Sequence, residues 1–258
     1  MEWLKADFHL HSREDQFDFI PYSAFELIDR CATLGYQVLA ITNHRRLTFR
    51  QDWIPYAEDR GIRLIPGVEA DIRGRHVLLL NADKEADKIR TFEDLRAYKK
   101  SHDVIVVAPH PFHWSFICLH GLLRRHIDLF DAVEIHSFYT RFFNPNKTAQ
   151  RFATEYKKPL IGNSDCHRLD QLDLTYSMVR ADPTISSVIQ ALRQGQVKVV
   201  SSPLTFAAAF NLLHLLRINQ MRRMLKRFGR SFAMPDGSSD RLHEQETNVK
   251  PQQVRIHK

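Results

Sequence analysis

The sequence predicts an α/β fold, a closed or distorted (β/α) barrel, followed by a basic segment. Two observations lead to this fold class. Apolar runs of four to six residues alternate with segments of helical periodicity, which is typical of βαβ units and a mostly parallel sheet. Seven or eight such runs precede residue 203, a number that favours one barrel over two smaller domains.

The individual elements follow from the same pattern. We predict strands at residues 5–8, 38–41, 63–68, 77–80, 104–108, 132–135, 159–162 and 197–200. We predict helices at residues 23–34, 53–60, 92–100, 147–156 and 185–194. The first helix has the clearest start, because Ser23 and Glu26 are spaced as a capping box.

The composition indicates a globular chain in a reducing compartment. The sequence has three cysteines and none of them lies in a CxxC pair, which argues against a disulfide framework. No apolar stretch reaches the ~20 residues that a membrane span needs, and the first residues lack a signal-peptide pattern. We therefore expect a cytoplasmic location.

The net charge of +7 belongs mainly to the C-terminal part of the chain. Residues 205–258 carry ten Lys and Arg against four Asp and Glu, so the rest of the chain is nearly neutral. The overall charge therefore gives no reason to interpret the whole chain as a nucleic-acid binder.

This change of composition predicts three parts. We expect a barrel over residues 1–203, a basic amphipathic helix over residues 204–230 and a disordered polar tail over residues 231–258. Such a helix packs on its own barrel, pairs with a second subunit, or lies on an anionic membrane surface or a protein partner. A homo-oligomer and a peripheral location at the membrane both stay open on this pattern.

Polar side chains follow six of the predicted strands. These residues are His9 and His11, His44, Glu69, His110, His136, and the pair Asp165 and His167. In parallel α/β folds the carboxyl ends of the strands meet at one rim and carry function. Imidazole and carboxylate ligands together suit cations such as zinc, manganese or iron. The sequence therefore predicts a metal centre at this rim.

The spacing within two of these pairs adds a geometric expectation. His9 and His11 are two residues apart on an extended strand, so their side chains face the same way. Asp165 and His167 repeat the spacing, and Cys166 between them should point into the packing layer. Each signal has a structural alternative, since Glu69 alone is compatible with a barrel ion pair and His110 with a turn. Their joint placement favours the metal centre.

The motifs resemble those of the PHP (polymerase and histidinol phosphatase) superfamily. They are Asp7-x-His9-x-His11, Thr42-Asn43-His44, Pro66-Gly67-x-Glu69, Pro109-His110-Pro111 and Asp165-x-His167. The stretch from residue 167 to residue 203 is similar to the PHP-associated C-terminal region. The resemblance covers about residues 5–205 and implies a distorted seven-stranded TIM-like (β/α) barrel with two or three divalent metal ions.

The resemblance also implies a ligand set for three ions. The first ion would bind His9, His11, Glu69 and Asp165. Glu69 would bridge to a second ion held by His110 and His136. His44 and His167 would hold the third ion with a carboxylate from the loop after His11, for which Asp18 is the first choice and Asp15 the alternative. Asn43, where many relatives have Asp, and Asp7 would orient ligands by hydrogen bonding instead of binding metal.

The activity implied is hydrolysis of phosphate esters, such as a small phosphomonoester, a nucleotide or a short oligonucleotide. A water activated by the metals would attack phosphorus in line. Glu69, Asp165 and His167 would carry catalysis through the metals. Arg45, Arg46 and His113 are candidates for substrate contact, with ordinary loop positions as the alternative.

Two other functions remain open on the sequence. Amidohydrolases also begin with His-x-His in a barrel, but they usually bridge their metals with a carboxylated lysine, and here Glu69 and His110 stand at the corresponding strand ends. The second alternative is a metal-stabilised scaffold without catalysis that docks through residues 205–230.

Overall fold

The computed structural model describes residues 1–210, which form a mixed α/β fold with two five-stranded sheets. The strands are β1 (Glu2–Leu10), β2 (Val38–Ile41), β3 (Arg63–Leu64), β4 (Gly67–Ile72), β5 (Arg75–Leu80), β6 (Ile105–Ala108), β7 (Ala132–His136), β8 (Leu160–Asn163), β9 (Thr175–Ala181) and β10 (Val197–Ser201). The α-helices are α1 (Ala24–Thr33), α2 (Trp53–Glu58), α3 (Phe92–Ser101), α4 (Gly121–Arg125), α5 (Asn146–Glu155) and α6 (Ile185–Arg193). Three short 3-10 segments complete the elements, at Lys84–Lys88, Ile127–Leu129 and Leu169–Gln171.

The first sheet has the strand order β10-β9-β1-β2-β3 and the second has the order β4-β5-β6-β7-β8. Strands β1, β2 and β3 run parallel, as do β6, β7 and β8. The remaining pairs, β1 with β9, β9 with β10, β4 with β5 and β5 with β6, are antiparallel. The expectation of a mostly parallel sheet is therefore wrong for half of the strand pairs.

The antiparallel pairing of β4 and β5 follows from a two-residue turn. Arg73 and Gly74 both have positive φ, 52° and 76°, and Ile72 pairs with Arg75 on either side of them. Two successive residues with positive φ match the twist of a tight hairpin. This hairpin reverses the chain where a parallel fold would need a crossover helix.

Two isolated parallel bridges join the sheets, Leu10 with Cys166 and His44 with Glu69. Within residues 1–210 the strands form two sheets and not one continuous closed ladder. The bridges lie at the carboxyl ends of β1, β2 and β8 and at β4, so the two sheets meet where the predicted ligands are.

Strand β1 separates packing from chemistry by its alternation. Leu4, Ala6 and Phe8 belong to a buried apolar cluster, while Asp7 and His9 occupy the opposite face and are also buried. Successive side chains of a strand point to opposite faces, so one strand contributes to both the core and the site.

Most predicted elements are confirmed within a few residues of their predicted ends. The capping box of Ser23 and Glu26 starts α1 as predicted. The predicted strand at residues 63–68 is two strands, β3 and β4, with the break at Pro66, which has no backbone N–H to donate to a ladder. Strand β9 was not predicted, because its buried positions include the polar Thr175 and Ser177.

The helix predicted over residues 204–230 begins within the described part. Residues 206–210 are helical, and the N–H of Ala209 donates to the carbonyl of Thr205 at 2.9 Å. The rest of that segment and the tail over residues 231–258 lie outside the described residues. In the part of the chain that the structure describes, the helices are too short or too polar to span a bilayer.

Candidate metal centre

Two buried carboxylates stand at the centre of a group of imidazoles. Glu69, on β4, lies within 3.6 Å of ring nitrogens of five histidines, which are His9, His11, His44, His76 and His110. Asp165, directly after β8, lies within 3.4 Å of ring nitrogens of His9, His11, His136 and His167. Residues from both sheets therefore converge on a single cluster.

The two isolated bridges bring the carboxylates into this position. The N–H of Glu69 donates to the carbonyl of Thr42 at 3.2 Å, and the N–H of Arg45 donates to the carbonyl of Glu69 at 2.7 Å. On the other side, the N–H of His11 donates to the carbonyl of Cys166 at 3.2 Å. The backbone at the carboxyl ends of β1 and β2 is thus fixed against both carboxylate-bearing segments.

The backbone at Asp165 differs from the expected extended arrangement. Asp165 has φ 51°, so Asp165 and His167 do not repeat the strand geometry of His9 and His11. Both side chains nevertheless face the cluster, because the His167 ring lies 4.4 Å from the His11 ring. Cys166 points away from it as predicted and its Sγ contacts the Tyr22 hydroxyl at 3.2 Å.

His9 has the geometry of a metal ligand that is oriented by a hydrogen bond at its other ring nitrogen. Its Nδ1–H donates to Oε1 of Glu134 at 2.9 Å, which leaves Nε2 as the ring atom available to an ion. That Nε2 is buried and has no hydrogen-bond partner among residues 1–210, although it lies 3.2 Å from a carboxylate oxygen of Asp165. A carboxylate on the far nitrogen of an imidazole is the usual support of a metal-binding histidine, so His9 fits a cation at Nε2.

The two aspartates considered for the third ion occupy different positions. Oδ2 of Asp15 accepts from Nδ1 of His44 at 2.7 Å and lies 3.4 Å from Nδ1 of His11. Asp18 instead places Oδ2 at 3.3 Å from Nε2 of His167. Asp15 therefore orients two imidazoles through their Nδ1 atoms, and Asp18 lies beside a ring nitrogen that faces the cluster.

Four groups of three side chains have ligand atoms close enough to share an ion, all within 4.8 Å of one another. They are His9, His11 and Glu69; His9, His110 and Asp165; His11, His44 and His167; and His44, Glu69 and His76. Nitrogen and oxygen donors in such groups match the preferences of zinc, manganese and iron. The residues present therefore fit the divalent metals that the motifs predict.

His136 is held differently from the other predicted ligands. Its Nε2 lies 3.0 Å from Oδ2 of Asp165, while its Nδ1 accepts the N–H of Phe138 at 2.8 Å. A neutral ring that accepts at Nδ1 carries its proton on Nε2. In this geometry His136 donates a hydrogen bond to Asp165.

The sequence prediction missed two residues of the cluster, the partly buried His76 and the buried Glu134. His76 contacts Glu69 at 2.6 Å through Nδ1, but it lies at the start of the antiparallel β5, so a search of carboxyl strand ends passes over it. Glu134 lies inside β7 and accepts from Nδ1 of His9, from the N–H of His110 and from Nδ2 of Asn163. Its position in an apolar run, between Val133 and Ile135, is the signal that was available.

The buried charges shift the pKa values of the cluster. Burial would raise the pKa of Glu69, but the neighbouring imidazoles, His76 foremost, outweigh it and hold that pKa well below its usual range. Burial likewise opposes ionisation of Asp165, and the adjacent histidines lower its pKa below the ordinary value. Burial lowers the pKa of His44 to about 4. Burial opposes protonation of His11, but its hydrogen bonds to Asp15 and Asp165 raise its pKa to about 9. Ionised carboxylates therefore face both a neutral His44 and a protonated His11, and a cation that binds His11 would displace its proton.

Asp7 and Asn43 make hydrogen bonds to the segments that carry the candidate ligands. Asp7 accepts from the N–H groups of His9 and Ser164, and burial raises its pKa to about 7. Oδ1 of Asn43 accepts the N–H of Ser12 at 2.9 Å, and its amide donates to Oγ1 of Thr48 at 2.8 Å. Both side chains fix the loops that carry the ligands.

The three predicted substrate residues divide into two kinds. His113 is buried, its Nε2 donates to the carbonyl of Phe138 at 3.0 Å, and its ring lies 4.8 Å from that of His136. Arg45 is half exposed and pairs with Asp71 at 2.7 Å, and Arg46 is exposed. His113 therefore adjoins the cluster, whereas Arg45 is engaged with another side chain.

Fold and site together define an α/β domain that carries a His and carboxylate centre between two sheets. A model of the family described as "PHP-associated" matches residues 143–197, which start earlier than the predicted associated region. A DNA polymerase III of the PolC type from Lactococcus lactis is 26% identical over 170 residues, covering 63% of this chain and 9% of the polymerase. The chain thus spans less than a tenth of that relative.

Solved structures share the fold. A two-domain protein from Bacteroides vulgatus, "containing predicted PHP-like metal-dependent phosphoesterase", has a TM-score of 0.60 and 18% identity, over 77% of this chain and 65% of that one. The lesion-specific endonuclease PfuEndoQ from Pyrococcus furiosus has a TM-score of 0.54 and 15% identity, over 76% of this chain and 57% of that one. The PHP-associated match and the PolC-type relative confirm the resemblance that the motifs indicate, and the solved structures show that the fold is shared.

Proposed function

We propose that the chain is a metal-dependent phosphoesterase. The observation that carries the proposal is the contact of one buried carboxylate, Glu69, with five imidazoles within 3.6 Å. A cluster of this size suits two or three divalent cations, and zinc, manganese and iron match its donors. The similarity to a PHP-like phosphoesterase structure and to PolC-type polymerases supports the same class of reaction.

The ligand assignment follows the groups of donors within the cluster. We assign His9, His11, Glu69 and Asp165 to the first ion, Glu69, His110 and His136 to the second, and His44, His167 and Asp18 to the third. One close group lies within the first set, and another contains His44 and His167 of the third. His110 belongs to a close group with His9 and Asp165, and its place in the second set rests on its Nε2, which lies 3.3 Å from Oε1 of Glu69. His136 would exchange its hydrogen bond to Asp165 for the ion. His76 is a further candidate beside His44 and Glu69, because these three also form a close group.

The chemistry divides between the ions and the chain. Divalent ions at this centre would neutralise charge on a phosphoryl group and activate water. The chain holds the ionised Glu69 and Asp165 in place and orients His9, His11 and His44 through Glu134 and Asp15. His113 offers an uncharged imidazole beside the centre, because burial lowers its pKa to about 3.

We also propose that β1, β2 and the five strands of the second sheet form a distorted seven-stranded barrel. The bridges between Leu10 and Cys166 and between His44 and Glu69 support this arrangement, since they link both ends of the second sheet to the first. An opening at both junctions would explain why the ladder is not continuous there.

The substrate class that we propose is a phosphate ester. A named relative is a polymerase and a named structural neighbour is an endonuclease, and phosphate esters are common to both. Amide hydrolysis is less well supported, because the bridging position next to the imidazoles is held by Glu69 and not by a lysine.

For residues 205–230 we propose docking to a second copy of the chain or to an anionic surface. Their Lys and Arg content supports this, with Arg217, Arg222, Arg223, Lys226 and Arg227 among apolar residues. Sedimentation with anionic liposomes, and the oligomeric state in solution, should both change when the chain ends at Pro203. Unchanged behaviour in both measurements would remove this proposal.

The test of the phosphoesterase proposal uses the full chain with measured metal content. Phosphate release from p-nitrophenyl phosphate and from nucleotides should stop with a chelator and return with manganese or zinc. The variant Glu69→Gln should lower kcat/KM by about a hundredfold or more, because it removes the shared negative charge. The matched control is Glu155→Gln. Glu155 is the last residue of α5, and its exposed carboxylate pairs with Arg124 of α4. Full activity of Glu69→Gln, or hydrolysis of amides alone, would overturn the proposal.

A further inference from the structure

Several large aromatic side chains are exposed on two loops that leave the metal centre. Trp114 and Phe116 follow β6 and are 87% and 92% exposed, and Phe142 follows β7 and is 83% exposed. Leaving such side chains in water forgoes the favourable free energy of burying them. Contiguous exposed apolar surface of this kind usually marks a binding surface.

Two ring pairs include Trp114 and Phe142 and are joined by the neighbouring residues Phe142 and Phe143, while Phe116 lies two residues after Trp114. The ring of Trp114 meets that of Phe143 edge to face at 4.8 Å, and Phe142 stacks with Phe206 at 5.4 Å. We call the set Trp114, Phe116, Phe142, Phe143 and Phe206 the aromatic rim.

Two polar contacts fix the segments that carry the aromatic rim. Nε2 of His113 donates to the carbonyl of Phe138 at 3.0 Å, which joins the loops after β6 and β7. The N–H of Leu204 donates to the carbonyl of Tyr139 at 2.8 Å, which joins the segment after β10. The aromatic rim is therefore a built surface from three parts of the chain.

The aromatic rim adjoins the metal centre. His113, the neighbour of Trp114 in sequence, has its ring 4.8 Å from the ring of His136. His136 in turn contacts Asp165 at 3.0 Å. If the phosphate of a ligand lies at the metal centre, the group attached to that phosphate would lie at the aromatic rim.

The segments that carry the aromatic rim contain charges of one sign. Residues 109–120, 136–150 and 202–210 contain no Asp or Glu, and the segment after β7 includes Arg141 and Lys147. Acid-free, basic surface of this kind attracts polyanions. A ligand that fits here is anionic and carries flat apolar groups.

We propose that the aromatic rim stacks the bases of a single-stranded nucleic acid whose phosphodiester or terminal phosphate lies in the metal centre. The inference rests on the proposed phosphoesterase function and names its substrate class. Aromatic side chains beside a basic surface bind single strands without reading sequence, because each base offers a flat face. An anionic membrane shares the charge but offers no flat rings, and its phosphates do not alternate with bases.

The test compares two ligands that differ only in their bases. Full-length protein is titrated with a fluorescent oligothymidylate and with an abasic oligomer of the same length and charge. We expect the oligothymidylate to bind about tenfold or more tightly. Trp114→Ala and Phe142→Ala should remove that difference, and Trp114→Phe should keep most of it. Trp3→Ala is the matched control, since Trp3 is exposed at the opposite end of β1.

Three results would overturn the inference. The first is an equal affinity of the wild-type protein for both oligomers. The second is a preference for bases that survives in both alanine variants. The third is a loss of binding to phosphatidylserine vesicles in these variants with unchanged oligomer binding. Phosphate release from p-nitrophenyl phosphate is measured in parallel, so that hydrolysis without base preference defeats this inference alone, whereas hydrolysis of no ester by metal-loaded protein defeats the phosphoesterase proposal.

Discussion

Glu134 and His9 form a buried pair in which Nδ1 of the imidazole donates to Oε1 of the carboxylate at 2.9 Å. Both side chains are fully buried. Burial opposes ionisation of Glu134, but the charge of His9 and the hydrogen bond to it lower the pKa of Glu134 below its usual value. The pair sets the direction in which Nε2 of His9 points, and a cation bound there would replace the proton of the charged ring.

Replacing Glu134 by Gln should weaken metal binding. The amide keeps the shape but removes the charge behind His9, and losses of such supporting groups typically cost about 10–100-fold in affinity or activity. Metal content and competition with a chelating dye measure the effect. An affinity equal to that of the wild-type protein, in a variant with an unchanged circular dichroism spectrum, would show that the pair does not support metal binding.

The roles of Asp15 and Asp18 can be separated by stoichiometry. Asp18→Asn should lower the number of ions bound per chain, because Asp18 lies beside Nε2 of His167. Asp15→Asn should keep that number and lower the affinity for metal instead. Within residues 1–210, the ring nitrogens that Asp15 contacts by hydrogen bonds are the Nδ1 atoms of His11 and His44. Elemental analysis at saturating metal measures both variants, and the reverse outcome would exchange the two assignments.

His76→Ala should reduce activity although His76 was not expected at the site. Its Nδ1 lies 2.6 Å from Oε1 of Glu69, so its loss removes a contact of that oxygen that is shorter than those to His9 and His110. We expect about a tenfold fall in kcat/KM. His102→Ala is a suitable control, because His102 stacks on Tyr98 away from the centre. An equal response of both variants would point to general destabilisation.

Metal should stabilise the fold. Ions that bind the native centre and not the unfolded chain add about 2.7 kcal/mol at a free concentration one hundred times the Kd. The Tm in a thermal scan should therefore rise with manganese or zinc and fall with chelator. The rise should be smaller in Glu69→Gln, and a rise of the same size in that variant would place the stabilising ion elsewhere.

Close packing at the end of β8 gives a prediction outside the chemistry. A Cβ on Gly162 would lie 2.7 Å from the carbonyl oxygen of Tyr176 and 2.7 Å from Cγ1 of Val199. Gly162→Ala should destabilise the protein by about 1–3 kcal/mol, as measured by urea unfolding. Gly121→Ala is the control, because a Cβ there meets nothing within 4 Å. Equal midpoints for the two variants would contradict this packing.

More of the candidate site than of the sheet topology could be predicted from the sequence. His9 and His11 could be placed on one face, since a strand has a fixed period and the motif fixes the register. The antiparallel direction of β5 could not be predicted, because the hairpin at Arg73 and Gly74 lacks the usual Asn-Gly signal. Strand β9 could not be predicted because it buries hydroxyl side chains. His76 was missed because its place depends on strand direction.

The role of Asp15 could not be predicted from the sequence either, because it depends on the conformation of its loop. Asp15 and Asp18 are three residues apart in a loop, and the order of residues does not say which ring nitrogen each carboxylate meets. That choice is made by the loop backbone, where Oδ1 of Asp15 accepts the N–H groups of both Phe17 and Asp18.

The junction at Leu10–Cys166 and His44–Glu69 has a mechanical consequence. Each ion proposed at the centre would cross-link one sheet to the other, as His9 comes from the first and Glu69 from the second. Loss of ions should therefore weaken the contact between the sheets before either sheet unfolds, and the backbone amides of His11 and Glu69 should exchange with deuterated solvent faster than in the metal-loaded protein.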